Sequence, residues 1–109
     1  MQRRTDDGII IAYDFTGRDW DGHSPMIEGH QGSVISVEAL AMAIEQAAPA
    51  TEPVECTMCL RRREPPMKLW RHPEPPAGAN PDAVICWDCI TLADRTFAKD
   101  PDVDWQRRT

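Results

Sequence analysis

The residues with the clearest chemical capacity are four cysteines, Cys56, Cys59, Cys86 and Cys89, arranged as two Cys-x-x-Cys pairs. Thiolates two residues apart can hold one ion from a single tight knuckle. Two knuckles complete a tetrahedron of sulfurs, the geometry that suits Zn²⁺ and, less often, iron. The sequence has no fifth cysteine, so a shared site uses every thiol. The competing chemistry is a pair of disulfides, which belongs to secreted proteins. The start of the chain, Met1 to Asp7, is polar, and Ile9-Ile10-Ile11 is too short for the core of an export signal. The Arg3-Arg4 pair lacks the apolar stretch that such a signal needs, and no segment reaches membrane-spanning length. The expected setting is a reducing compartment, cytoplasmic or virion-associated if the chain is phage-encoded, and metal is favoured over bridges.

Iron on the same four sulfurs would make a rubredoxin-like electron carrier. Rubredoxins carry Cys-Pro-x-Cys-Gly at both knuckles, and the backbone N–H groups of those turns tune the iron potential. Here Thr57, Met58 and Leu60 fill the first knuckle, and Trp87, Asp88 and Ile90 the second. Zinc is therefore the expected cofactor, with iron behind it. A thioredoxin-type redox role needs one such pair within a βαβ pattern, which this chain lacks.

Three further groups of residues have chemical capacity. Arg61, Arg62 and Arg63, with Lys68, Arg71 and His72 nearby, could contact nucleic acid beside the stacking face of Trp70, could compensate a dianionic four-thiolate site, or could bind the acidic surface of a partner protein. The second use fits the acidic balance better. Asp19, Asp21 and His23, with Glu28 and His30, offer ligands for a second metal. An EF-hand loop would need Gly where Ser24 stands and a Glu at its twelfth position, so a solvated loop is the expectation. Of the four tryptophans some are expected in the core, since each buries a large area, and Trp70, Trp87 and Trp105 are candidate partner-binding aromatics. Trp105 lies in an aperiodic tail, 101–109, that could dock into another protein or stay disordered.

Composition bounds the rest. A chain of 109 residues with ten prolines buries a modest core, and small cores commonly need a staple. Zinc in such modules contributes about 10–16 kcal/mol, as much as a whole domain's stability. The formal net charge of −6 argues against general binding to duplex nucleic acid, which rests on neutralising phosphates.

The elements that must position the cysteines divide near Pro49-Ala50-Thr51-Glu52-Pro53, giving a small α+β segment at 1–50 and a metal module at 54–100. Upstream, Gly8 to Phe15 alternates, with Ile9, Ile11, Tyr13 and Phe15 on one face, and predicts a strand. Thr16 to Gly32 reads as a long loop, and Val34-Ile35 as a short strand. Ser36 is a good N-cap with Glu38 in the first turn. Val37, Leu40, Ala41, Ile44 and Ala48 then form one face of an amphipathic helix that ends before Pro49. Downstream come the first knuckle, a strand at Met67 to Arg71, a turn region from Pro73 to Pro81, and a returning strand at Ala83-Val84-Ile85. Cys86 and Cys89 open a helix with Ile90, Ala93 and Phe97 on its apolar face, stopped at Asp100-Pro101.

Knuckle, hairpin, then a helix carrying the second pair in its first turn is a treble-clef arrangement. The segment from Val84 to Asp94 resembles the N-terminal zinc-binding domain of the ClpX unfoldase, in which an Ile-Cys-x-x-Cys segment opens the last helix. The resemblance runs over roughly Glu55 to Lys99, with Leu60 standing where that family carries glycine. It implies that Cys56, Cys59, Cys86 and Cys89 are zinc ligands, and that the module dimerises and captures partners without catalysing anything. Treble-clef HNH nucleases need histidines on the zinc-bearing elements, and the helix after Cys89 has none. The sequence thus predicts a non-enzymatic zinc module for protein–protein interaction or assembly, an adaptor or a component of a larger complex such as a phage particle. Nucleic-acid binding stands second and electron transfer third.

Overall fold

A computed structural model describes all 109 residues. The order of elements is β1 (Gln2–Thr5), β2 (Gly8–Ile11), β3 (Met26–Glu28), a 3₁₀ turn at His30–Gly32, β4 (Val34–Ser36), α1 (Val37–Gln46), β5 (Ala48–Pro49), β6 (Val54–Glu55), β7 (Arg62–Arg63), β8 (Lys68–Trp70), β9 (Ile85–Cys86) and α2 (Trp87–Lys99). The class is α+β, as the sequence predicts: two helices over small antiparallel strand pairs, with the cysteine cluster in the C-terminal half. No helix is long and apolar enough to cross a membrane.

Ser36 caps α1 as expected, its Oγ accepting from the Ala39 N–H at 3.1 Å, and Glu38 sits in the first turn. The buried face differs from the predicted one. Ala39, Leu40 and Ala43 are fully inside, while Val37, Ala41 and Ile44 flank them and Ala48 lies beyond the helix in β5. A ten-residue helix is marginal by itself, so this packing is what holds it.

The strand predicted over Gly8 to Phe15 ends at Ile11, and its alternation is lost. Ile9 is 61 % exposed, whereas Ala12, Tyr13, Asp14 and Phe15 are all buried. The chain bends there: Trp20 N–H reaches the Ile11 carbonyl at 2.8 Å, and Tyr13 N–H the Arg18 carbonyl at 2.8 Å. The predicted loop from Thr16 to Gly32 contains β3, which pairs with β4 through Ile27 opposite Ile35.

Downstream, β8 is the middle strand of a three-stranded sheet. Leu69 pairs with Cys86 on one side and Ala48 on the other. The proline-rich stretch after α1 is therefore bridged by pairing on both sides of it. One hydrophobic core follows, running from Phe15, Ile35 and Leu40 through Trp70 and Ile85 to Ile90, Phe97 and Trp105. Each fully buried aliphatic or aromatic side chain contributes about 1.5–3 kcal/mol.

Segment 101–109 is ordered against α2. Asp94, fully buried, accepts from Trp105 Nε1 at 2.8 Å, the Arg108 N–H at 3.0 Å, the Thr109 N–H at 2.9 Å and Thr109 Oγ1 at 2.6 Å. Trp105 packs on Phe97 with ring centroids 5.6 Å apart, and the Arg108 guanidinium lies over its indole. Burial pushes the Asp94 carboxyl up, but the hydrogen bonds from Thr109, Trp105 and Arg108 outweigh it and hold the pKa below its ordinary value.

This clasp carries a pH dependence. Because its folded pKa lies below the unfolded one, it contributes full stability above about pH 4 and loses it as pH falls through the folded value. Asp94→Ala should cost about 2–3 kcal/mol and free the segment at neutral pH. The Trp105 indole N–H resonance reports both effects. It should move to its free position on acidification and in the variant, and a docked signal in Asp94→Ala would show that Asp94 does not hold the segment.

Candidate metal centre

The two knuckles are shaped by different local rules. In the first, β6 and β7 pair through Glu55 opposite Arg62, and the chain reverses between them. The Cys56 N–H donates to the Arg61 carbonyl at 3.0 Å, and the Leu60 N–H to the Cys56 carbonyl at 2.8 Å. So tight a reversal needs a left-handed residue, and Leu60 supplies it with φ 61°. In the second, Cys86 is both the last residue of β9 and the N-cap of α2, which puts Cys89 in the first turn. The positive end of the helix and its free N–H groups favour thiolates held there.

Backbone ties lock one knuckle onto the other. The Thr57 N–H donates to the Val84 carbonyl at 2.8 Å, and the Val84 N–H to Thr57 Oγ1 at 2.9 Å. The Cys86 N–H points at Cys56 Sγ, 3.4 Å away. All four sulfurs lie within 4.8 Å of one another, with Cys56–Cys89 at 3.8 Å and Cys59–Cys86 at 3.9 Å. Sulfurs 2.3 Å from a central ion form a tetrahedron with edges of about 3.8 Å, and these two of the four cross-knuckle edges fit a metal ion. A disulfide needs about 2.05 Å, and all four cysteines are free.

The thiols of Cys56, Cys86 and Cys89 are linked. Hydrogen bonds from Cys56 and Cys89 hold Cys86 well below the ordinary thiol range. The same bonds push the other two up, Cys56 through its bond to Cys86 and Cys89 through its bonds to Cys56 and Cys86. Concentrating negative charge on one sulfur resists ionising its neighbours. A divalent cation reverses that, because a coordinating thiol is deprotonated outright.

The arginine run splits into separate roles. Arg63 turns inward: its Nη2 is 3.8 Å from Cys59 Sγ and 3.3 Å from Asp88 Oδ2, and the bond to Cys59 holds the guanidinium charged. Arg62 forms an exposed pair with Glu64 at 2.8 Å, and Arg61 projects into solvent. Among the predicted partner-binding aromatics, Trp87 is half-buried beside the centre with Lys68 Nζ 3.8 Å above its ring. Trp70 and Trp105 are corrections: at 2 % and 7 % exposure they are core residues with no surface for a partner. Trp70 Nε1 donates to Gln46 Oε1 at 2.8 Å and the ring packs on Phe15, which ties α1 to the sheet. The physical reason is that large aromatics supply area a small core needs.

The Asp19–His30 stretch gathers no second ligand set; the cysteines are the one cluster of potential ligands. Asp21 Oδ1 accepts from the His23 and Ser24 N–H groups at 2.9 and 2.7 Å, and those bonds together with the Ser24 hydroxyl hold its carboxyl well below the usual range. Asp19 pairs with Arg3. The stretch does something the sequence did not announce. The His30 N–H donates to the Met58 carbonyl at 2.8 Å, so the N-terminal half rests directly on the first knuckle. Gly29 permits the approach, since a Cβ there would lie 2.5 Å from that oxygen. Beside this contact a groove of ≈ 360 Å³, walled by Ile27, Met58, Ile85 and Leu92, reaches Cys59 and Cys89.

No protein-family model, curated protein or solved structure matches this chain.

Two substitutions test the knuckle. Leu60→Gly relieves the left-handed backbone and should raise the stability of the metal-loaded protein by about 1 kcal/mol, whereas Leu60→Ala gains nothing of that kind. Gly29→Ala should lower stability by about 2 kcal/mol or more by forcing the His30 segment off Met58. Thermal unfolding of the loaded chains measures both. Equal melting of Leu60→Gly and Leu60→Ala would contradict the backbone account.

Proposed function

We propose that the four cysteines hold one Zn²⁺ as a structural centre, and that the chain is a non-enzymatic module for protein–protein interaction or assembly. The observation that carries this reading is the convergence of four sulfurs on two interlocked knuckles, all within 4.8 Å of one another and two pairs at 3.8 and 3.9 Å. A centre closed in this way is structural, because a catalytic zinc keeps one position for water or substrate. Zinc is preferred to iron because neither knuckle has the Cys-Gly turn of rubredoxins. Knuckle, strand pair and helix in this order support the treble-clef reading and the resemblance to the ClpX zinc-binding domain. On that resemblance the module works by capturing a partner protein, or a second copy of itself, in a cytoplasmic or virion setting.

The surface chemistry supports protein over nucleic acid. Arg63 is spent on the thiolates and Arg62 on Glu64, while Leu60 and Leu92 stand 44 % and 61 % exposed around the centre. Apolar side chains ringed by polar ones suit a protein interface.

Native mass spectrometry of chain purified without added metal should show one zinc per chain. Chelation should then remove the helical signal of α2, since binding energy in such sites is folding energy. Leu92→Asp should abolish partner capture while leaving zinc content unchanged. Oligonucleotide binding that falls steeply with salt and disappears in Arg61→Ala/Arg62→Ala would replace this reading with the nucleic-acid one.

A further inference from the structure

The four sulfurs are not equally protected. Cys56 and Cys86 are buried at 1 % and 0 % exposure, while Cys59 and Cys89 are half-buried and line the groove that opens between Ile27–His30 and α2. Cys59 has a guard: the Arg63 guanidinium lies 3.8 Å from its Sγ, braced by Asp88 at 3.3 Å. The groups acting on Cys89 are its burial and the neighbouring sulfurs of Cys56 and Cys86, with no cation among them. Across the knuckles the Cys89 sulfur lies 3.8 Å from that of Cys56 and within hydrogen-bonding reach of it, as Cys59 lies 3.9 Å from Cys86.

We propose that Cys89 is an oxidative modification site through which hydrogen peroxide opens the centre, with Cys56 as the resolving thiol. This rests on the zinc reading above. Thiolates in the centre are already deprotonated, so a cation against one of them no longer promotes ionisation. It draws density from the sulfur and covers it, and nucleophilicity falls accordingly. Peroxide is small and uncharged, and the apolar walls of the groove do not exclude it.

The Cys89 thiolate attacks one peroxide oxygen: an S–O bond forms, the O–O bond breaks and hydroxide leaves. Cys89 is now a sulfenic acid. The Cys56 thiolate attacks its sulfur, forming the S–S bond and expelling a second hydroxide. The two sulfurs have lost two electrons in total, and one peroxide has become two hydroxides, which take protons to become water. Two thiolates remain, too few to hold the ion, so oxidation becomes metal release and loss of the fold that depends on it. A thiol reductant with added zinc reverses the sequence.

The test uses the full chain, with zinc counted before any oxidant is added. Equimolar peroxide is supplied, zinc release is followed with a chromogenic chelator, free thiols are alkylated, and the disulfide is located by fragmenting the linked peptides. The expected first product is Cys56–Cys89, formed in step with release of zinc and reversed by dithiothreitol plus zinc. In Arg63→Ala the Cys59–Cys86 product should form about tenfold faster, and Arg63→Lys should keep it slow. A first bond that contains Cys59, a bond within one knuckle, or retention of zinc under excess peroxide would overturn the proposal. So would an Arg63→Ala chain whose products match the parent's. Chain without zinc at the outset would instead overturn the metal reading on which the proposal rests.

Discussion

Four thiolates around the proposed divalent ion would carry a net charge of about −2 held partly out of water, and the C-terminal architecture is built to meet that demand. Two of the sulfurs are buried, so water cannot solvate them, and the protein supplies the compensation itself. The N-terminus of α2 presents its positive end to Cys86 and Cys89. The Cys86 N–H is directed at Cys56, and Arg63 turns inward onto Cys59 when its neighbours stay at the surface. The strand pairs that carry the knuckles are two or three residues long, too short to persist alone. They persist because one centre and the shared core join them.

The same rule governs the other buried anion. Asp94 sits on the apolar face of α2, between Ala93 and Phe97, and is stable there because Trp105, Arg108 and Thr109 donate to it. A helix that begins at a thiolate cluster is thus clasped midway by a carboxylate. The N-terminal half adds the third restraint, with Gly29 and His30 pressed on Met58. The four-cysteine cluster is therefore supported by the strands that carry it, by the helix that starts at it and by a segment remote in sequence.

Local rules made much of this legible. Paired cysteines, the Ser36 cap, the stripe Ile90–Ala93–Phe97 and the stop at Asp100-Pro101 each depend on neighbours a few residues away, and the α+β class follows from them. What escaped was set by distant contacts. The alternation from Ile9 to Phe15 suggested a long strand, but a bend toward Arg18 and Trp20 buries four consecutive residues instead. Nothing local told that His30 would meet Met58, or which of the tryptophans would face the core. Asp94 escaped too, although a lone carboxylate four residues after Ile90 on an apolar stripe is a signal of a buried acid, because its donors lie in the segment 101–109.

The central claim is that four sulfurs, and nothing else, surround one metal ion. X-ray absorption at the metal edge of protein purified without added metal measures this directly. A closed centre predicts a zinc edge with a single shell of four sulfurs at about 2.3 Å and no nitrogen or oxygen scatterer. A mixed shell, fewer than four sulfurs, or no bound metal would contradict it, and with it the physical account of both knuckles and the helix they launch.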